Sequence, residues 1–331
     1  MEIKILGNTT WGSTLALLFS KTTNTINLIH RKSEERENSE SSDSVIAGKY
    51  KTKKPNNIKF SDVNNLLFKD NDILIIAVPS STLEQNLSLI KHSIPKDLNI
   101  IIASKGLSKS GKLLSEMTSS YLGMPSSQIG ILSGPNLASE ILKGKPAITS
   151  LSFEDIKNAD KYRDILSSTH LRIYSSDDVI GSQIGGALKN IIAIGCGIID
   201  KFDLGDNAKS AFITRGLREI VRFGNYHGGK EYTFYGLSGI GDLFATCASK
   251  YSRNWQFGYN LASGKSIEEF TNETGFTVEG INATLIVNMI SIEKDISMPI
   301  TNMTYKVIKE RYNPEKAIKE FMMRDLSQER N

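Results

Sequence analysis

Two lysines stand where lysines are uncommon. Lys189 lies inside GGALKNIIAIG (185–195), an otherwise apolar and glycine-rich run, and Lys105 in ASKG (103–106) follows the apolar stretch LNIIIAS (98–104). A third stretch, GLSGIGDLFATCASKYSRN (236–254), places Asp242 among glycines and ends in Ser252, Arg253 and Asn254. A residue that follows a central strand stands at the carboxyl edge of a parallel sheet, where ligands of such folds bind. Gly185, one helical turn before Lys189, is expected to leave room beside its ammonium. Cations in such places can stabilise or protonate an oxygen on which charge develops, and an arginine fork suits a phosphate. Each residue also has a plainer reading. Lys189 could snorkel to water, Asp242 could cap a helix, and Arg253 could be a surface cation.

A second constellation opens the chain. In ILGNTTWGSTLALL (5–18), Gly7 and Gly12 fill the outer positions of GxGxxG, and Thr9 takes the middle one. EIKIL reads as a strand, Gly7 as the sharp turn, and Gly12 as the close approach of a helix whose free N–H groups can hold a pyrophosphate. The middle glycine normally clears space for phosphate oxygens, so Thr9 is expected to push a dinucleotide outward or to donate to it through its hydroxyl. An ordinary strand, turn and helix without a ligand fits the same residues. The next strand, TINLIH, ends in His30, Arg31 and Lys32, with no carboxylate before Glu34. An NAD site usually has an acid there, whereas cations suit a 2′-phosphate, so NADPH is the expected cofactor and NADH the alternative. A basic strand end facing solvent is the plainer reading.

The elements that must position these groups follow from the whole chain. At 331 residues it exceeds one core, so two domains are expected. Forty basic against 36 acidic residues give a formal charge of +4, too little for a nucleic-acid or membrane surface. Cys196 and Cys247 sit among small or apolar residues without CxxC or Cys/His spacing. They are expected to be buried, reduced thiols with no metal site, as in a reducing compartment. The start, MEIKILG, does not read as a signal peptide. VIGSQIGGALKNIIAIGCGII (179–199) is long enough to span a bilayer, but a central lysine costs roughly 3 kcal/mol there, which favours a buried helix.

Up to about residue 177 apolar runs alternate with amphipathic or polar segments: strands at 2–6, 25–30, 72–78, 98–104 and 129–134, an outer pair in PAITSLS and LRIYSS, and a helix at 11–21. Residues 33–57 read as surface loop with at most one short helix. Beyond 178 helical spacing dominates, over 178–200, 208–224, 242–262, 278–292 and 301–310. The expected fold is α/β, a doubly wound Rossmann-type sheet in residues 1–177 followed by an all-helical domain in 178–331.

The order of the glycine loop, AVPS, SKG, SGPNLASE, GGALKNIIAIG, ITRGL, GLSGIGDL, SRN and TVEG resembles the NAD(P)-dependent sn-glycerol-3-phosphate dehydrogenase family from Ile3 to about Ile308. The resemblance implies reversible hydride transfer between a nicotinamide cofactor and dihydroxyacetone phosphate, giving sn-glycerol 3-phosphate for phospholipid synthesis. It implies Lys189 as general acid/base. It places Lys105, Gly134, Asn136, Asn190, Asp242, Ser252, Arg253 and Asn254 at the substrate. It places Gly7, Thr10, Trp11, Gly12, Arg31, Lys105, Ala138, Arg253, Thr277 and Glu279 at the cofactor. A cytoplasmic homodimer is also implied. After GP the family commonly has a small hydroxyl residue and then an aromatic, whereas this chain has Asn136 and Leu137. The four histidines fall outside the strong markers. Two other readings fit part of the pattern: a 2-hydroxyacid or ketopantoate-type reductase, which would not need Arg253, and a cofactor-sensing protein that has lost activity.

Overall fold

The isoleucine-rich runs form strands. In a computed structural model of the protein, which describes residues 1–22, 25–31, 44–69 and 71–323, β1 is Ile3–Leu6, β2 Ile26–His30, β3 Ser44–Ala47, β4 Tyr50–Lys53 and β5 Ile58–Asp62. They are followed by β6 Ile73–Ile76, β7 Asn99–Ile102, β8 Ile129–Ser133, β9 Ala147–Ser152 and β10 Leu171–Ser176. Eight strands make one sheet in the order β10-β9-β8-β7-β6-β1-β2-β5. All neighbours are parallel except β8 and β9. Every residue of β1 and β6 is buried, as expected of central strands covered on both faces.

The strand order reverses between β1 and β6, which creates a switch point, the place where such sheets bind ligands at their carboxyl ends. β1 is in register with both neighbours, Ile3 opposite Ile26 and Ile73. The chain therefore leaves β1, β2 and β6 at one level, at Gly7, Arg31 and Ala77. The helix Thr10–Phe19 follows β1 at this edge.

The helical half begins where Asp178 caps the helix Val179–Lys201, accepting from Gly181 N at 2.8 Å and from Lys230 N at 2.9 Å. That helix is buried from Gly181 to Ile199. It packs against helices Gly205–Tyr226, Asp242–Ala248, Arg253–Ala262 and Glu279–Glu293. The central lysine thus marks a core helix, as its cost in a bilayer suggests. Cys196 and Cys247 are both buried.

Two expectations fail. The interval 33–57 is not only loop, because β3 and β4 form an antiparallel hairpin within it. Val45 and Ala47 alternate inward while Gly48 turns the chain at φ +62°. Residues 33–43 of the interval lie outside the described residues. The expected helix 242–262 is two helices, Asp242–Ala248 and Arg253–Ala262, because the Ser252 hydroxyl caps the second by accepting from Trp255 N.

Candidate active site at the carboxyl edge of the sheet

At the switch point Gly7 has φ +116°, and a Cβ there would come within 2.8 Å of the Ala77 carbonyl oxygen. A Cβ on Gly12 would come within 2.0 Å of the Gly7 carbonyl, so both glycines are required by close backbone contact. Thr9 uses its hydroxyl within the protein. It is the N-cap of helix Thr10–Phe19, and its hydroxyl accepts from Gly12 N at 3.0 Å and donates to the Ala77 carbonyl at 2.8 Å. Ser13 N is satisfied by Thr9 O. The amides of Thr10 and Trp11 have by position no intrahelical partner, and such amides suit an acceptor such as a phosphate.

The surroundings fit a dinucleotide. Exposed Arg31 follows β2. The hairpin crosses the start of the first helix, where a Cβ on Gly48 would meet the Thr10 hydroxyl at 2.9 Å. Trp11 Nε1 donates to the Ala103 carbonyl at 3.1 Å, tying the loop to the end of β7 two residues before Lys105. Ala138 starts the short helix Ala138–Ile141, which packs on Thr10–Phe19. A loop shaped by Gly7 and Gly12, with two helix amides left over, is what a pyrophosphate requires.

Across the crevice the substrate candidates converge on one carboxylate. Lys189 Nζ donates to Asp242 Oδ1 and, at 2.8 Å, to Thr246 Oγ1. Lys105 Nζ donates to Asp242 Oδ2 at 2.6 Å and to the Gly134 carbonyl at 2.8 Å. Asp242 and Lys189 are 1% and 6% exposed, so neither the snorkel nor the simple helix cap describes them. Burial pushes the Lys189 ammonium down to about 7; Asp242 opposes this and Lys105 adds to it. Asp242 reaches both lysines because the chain turns sharply before it, in Leu237–Gly241. There a Cβ on Gly239 would lie 2.1 Å from the Phe234 carbonyl.

The room near Lys189 is arranged differently from the expectation. A Cβ on Gly185 would strike the Ser238 carbonyl at 2.3 Å, so Gly185 admits a neighbouring backbone. Gly186 is the glycine that faces Lys105, whose Cγ would lie 3.6 Å from its Cβ.

The carboxamides form a second group. Asn254 Nδ2 donates to Asn190 Oδ1 at 2.8 Å, and Gly280 N donates to Asn254 Oδ1 at 2.9 Å. Among the described residues, Asn190 Nδ2 makes only a long 3.5 Å bond, to the Gly186 carbonyl. Arg253 is exposed at the start of its helix, with its guanidinium 5.8 Å from the Phe276 ring centre. Ser252 spends its acceptor on the helix cap. Asn136 Nδ2 donates to the Ile148 carbonyl at 3.2 Å. Gly134 packs so closely on β9 that a Cβ would lie 2.9 Å from Thr149 Cα.

Glu279 begins helix Glu279–Glu293, with exposed Thr277 just before it. Its carboxylate accepts from Ser80 N at 3.1 Å and from the Ser80 hydroxyl. Burial holds its pKa above the usual value, while those two bonds and Arg253 draw it down. Ser80 and Thr246 were not among the expected site residues. Thr246 lies one turn after Asp242, a spacing that could have found it; nothing local in the sequence pairs Ser80 with Glu279.

Comparison with known proteins agrees with this geometry. Residues 2–159 match the family described as NAD-dependent glycerol-3-phosphate dehydrogenase N-terminus, and residues 178–319 match its C-terminus. Glycerol-3-phosphate dehydrogenase [NAD(P)+] of Clostridium botulinum is 33% identical over 332 residues, 99% of each chain. The enzyme of that name from Corynebacterium aurimucosum is 37% identical over 308 residues, 92% of this chain and 93% of its own. The crystal structure of glycerol-3-phosphate dehydrogenase from Coxiella burnetii superposes with a TM-score of 0.89 at 31% identity, covering 98% of this chain and 99% of that one. With both halves matched and relatives aligned end to end, the chain belongs to the NAD(P)-dependent glycerol-3-phosphate dehydrogenase family.

Proposed function

We propose that this protein catalyses the reversible NAD(P)H-dependent reduction of dihydroxyacetone phosphate to sn-glycerol 3-phosphate, with NADPH favoured, in support of glycerophospholipid synthesis. The observation that carries the reading is the Lys189–Asp242–Lys105 cluster, its Lys189 and Asp242 buried, facing the Gly7–Gly12 loop across the sheet edge.

The nicotinamide supplies or accepts the hydride. Gly7, Gly12 and the amides of Thr10 and Trp11 would hold its pyrophosphate, Arg31 the 2′-phosphate, and Ala138, Lys105, Arg253, Thr277 and Glu279 would line the rest of its path. Lys189 serves as the general acid/base. In reduction its ammonium gives a proton to the carbonyl oxygen, and in oxidation the neutral amine takes a proton from the hydroxyl. With its pKa near 7, both forms are accessible near neutrality. Asp242 orients the ammonium, and Lys105 adds positive charge where the oxygen becomes negative. Arg253, with Ser252, Asn254, Asn190, Asn136 and the backbone at Gly134, would grip the phosphate and hydroxyl and fix the carbonyl in place.

Residues 1–177 form the cofactor domain and 178–331 the substrate domain in this reading. The chain acts as a cytoplasmic homodimer. NADPH oxidation followed by absorbance, with dihydroxyacetone phosphate beside dihydroxyacetone and ketopantoate, tests the activity. Turnover of the phosphorylated ketone alone is expected. A folded, NADPH-binding protein inert toward it would reject the reading.

A further inference from the structure

We propose that Ser80 is a positioning residue for substrate binding, acting on Asn190 through Glu279, Gly280 and Asn254. The inference rests on the substrate site proposed above.

Ser80 follows Pro79 at the end of the β6 run and is buried. Its amide and hydroxyl both donate to the Glu279 carboxylate, from a residue 199 positions away. The contact is walled in: a Cβ on Gly106 would lie 2.6 Å from Ser80 Oγ and 3.1 Å from Glu279 Oε2. Glu279 is thereby pinned to the sheet, and with it the start of helix Glu279–Glu293. The next residue passes the constraint on. Gly280 N donates to Asn254 Oδ1 at 2.9 Å, and a Cβ on Gly280 would lie 2.7 Å from that oxygen and 2.8 Å from the Asn190 carbonyl.

The polarity of this chain of bonds is fixed at its head, because a backbone N–H can only donate. Asn254 must therefore present its oxygen to Gly280 and its NH2 to Asn190 Oδ1, at 2.8 Å. Asn190 must in turn turn its own NH2 away from Asn254, where it has only the 3.5 Å bond to Gly186. The relay thus offers Asn190, adjacent to Lys189, as a donor for a substrate oxygen. A buried donor with a weak partner favours a ligand that accepts. Loosening Ser80 loosens that donor.

The experiment combines kinetics with hydrogen exchange on the full-length protein. Ser80→Ala is expected to raise KM for dihydroxyacetone phosphate about tenfold at saturating NADPH, with kcat changed less than about twofold. In an Asn254→Ala background the same substitution is expected to change KM no further, because the relay is already cut. Amide exchange in peptides spanning 277–283 is expected to quicken in Ser80→Ala, and equally in Glu279→Gln, which covers the case of one variant folding poorly. Additive KM effects, or unchanged exchange at Gly280 in both variants, would overturn the proposal. If the wild-type protein does not turn over the phosphorylated ketone, the functional reading fails by itself and the exchange result still decides the relay.

Discussion

Asp242 gives one carboxylate oxygen to Lys189 and keeps the other for Lys105, so a single buried anion is shared by two cations. Removing it as Asp242→Asn leaves the buried Lys189 ammonium beside that of the half-buried Lys105 without compensation. Such a loss typically costs about 3–5 kcal/mol. Ketone reduction at pH 7 is expected to fall at least about a hundredfold, since Lys189 then gives up its proton more readily before substrate arrives. Urea denaturation and steady-state kinetics read the two effects separately.

Lys189 itself should govern the pH profile. Reduction needs its ammonium, so kcat for the ketone is expected to be level below about pH 7 and to fall above it, while oxidation of the alcohol rises through the same range. The stability consequence has a definite sign. The ammonium is lowered from 10.5 to about 7 in the folded protein, so between those values the unfolded chain binds more protons. This group's contribution therefore makes stability increase with pH across that window. Lys189→Ala is expected to abolish both limbs and to lower kcat by about 10²–10⁴.

Arg253 is exposed at a helix start and so is free to close on a phosphate without carrying the fold. Arg253→Ala is expected to raise substrate KM by about tenfold to a hundredfold, with a much smaller change in kcat. A dominant kcat effect would mean that the roles of Arg253 and Lys189 have been exchanged.

At the other end of the crevice, Arg31 follows β2 where the ribose edge of a dinucleotide would lie. Arg31→Ala is expected to lower kcat/KM for NADPH about tenfold and to leave NADH nearly untouched. Measuring both cofactors on the same preparation checks it. An unchanged ratio would assign the 2′-phosphate to other groups.

Thr9 uses both halves of its hydroxyl within the protein. Thr9→Ala is expected to cost about 1 kcal/mol of stability, and Thr9→Gly only a few tenths. Neither should tighten NADPH binding. A lower dissociation constant in Thr9→Gly would show instead that the side chain crowds the phosphate.

Much of this arrangement was legible in the sequence. The buried strands were, because continuous isoleucine runs cannot belong to the surface; so was the buried helix, because Lys189 argued against a membrane. The β3–β4 hairpin was hidden by its lysines: only Val45 and Ala47 face inward, too few to stand out. β5 was hidden for the same reason, since an edge strand with Ile58 as its one fully buried residue carries little apolar signal. At the site, residue types pointed to Lys189, Lys105, Asp242 and Arg253 individually. What the sequence could not express was pairing over distance. Asn190 with Asn254 and Ser80 with Glu279 meet only after the sheet and the helices have packed. The capping role of Thr9 was hidden because a motif position says nothing about which way a side chain turns.

The helix Val179–Lys201 carries a consequence for the order in which the molecule can be made. Apart from a face laid on β8 and β9, its surface is covered by helices that begin at Gly205, Asp242, Arg253 and Glu279, all later in the chain. During synthesis this apolar segment therefore leaves the ribosome before the residues that will shelter it, and it waits for roughly a hundred more to follow. Its lysine waits too, with its carboxylate partner 53 residues downstream. The sheet can close while translation is still under way, but the chemistry of the site is among the last things to form.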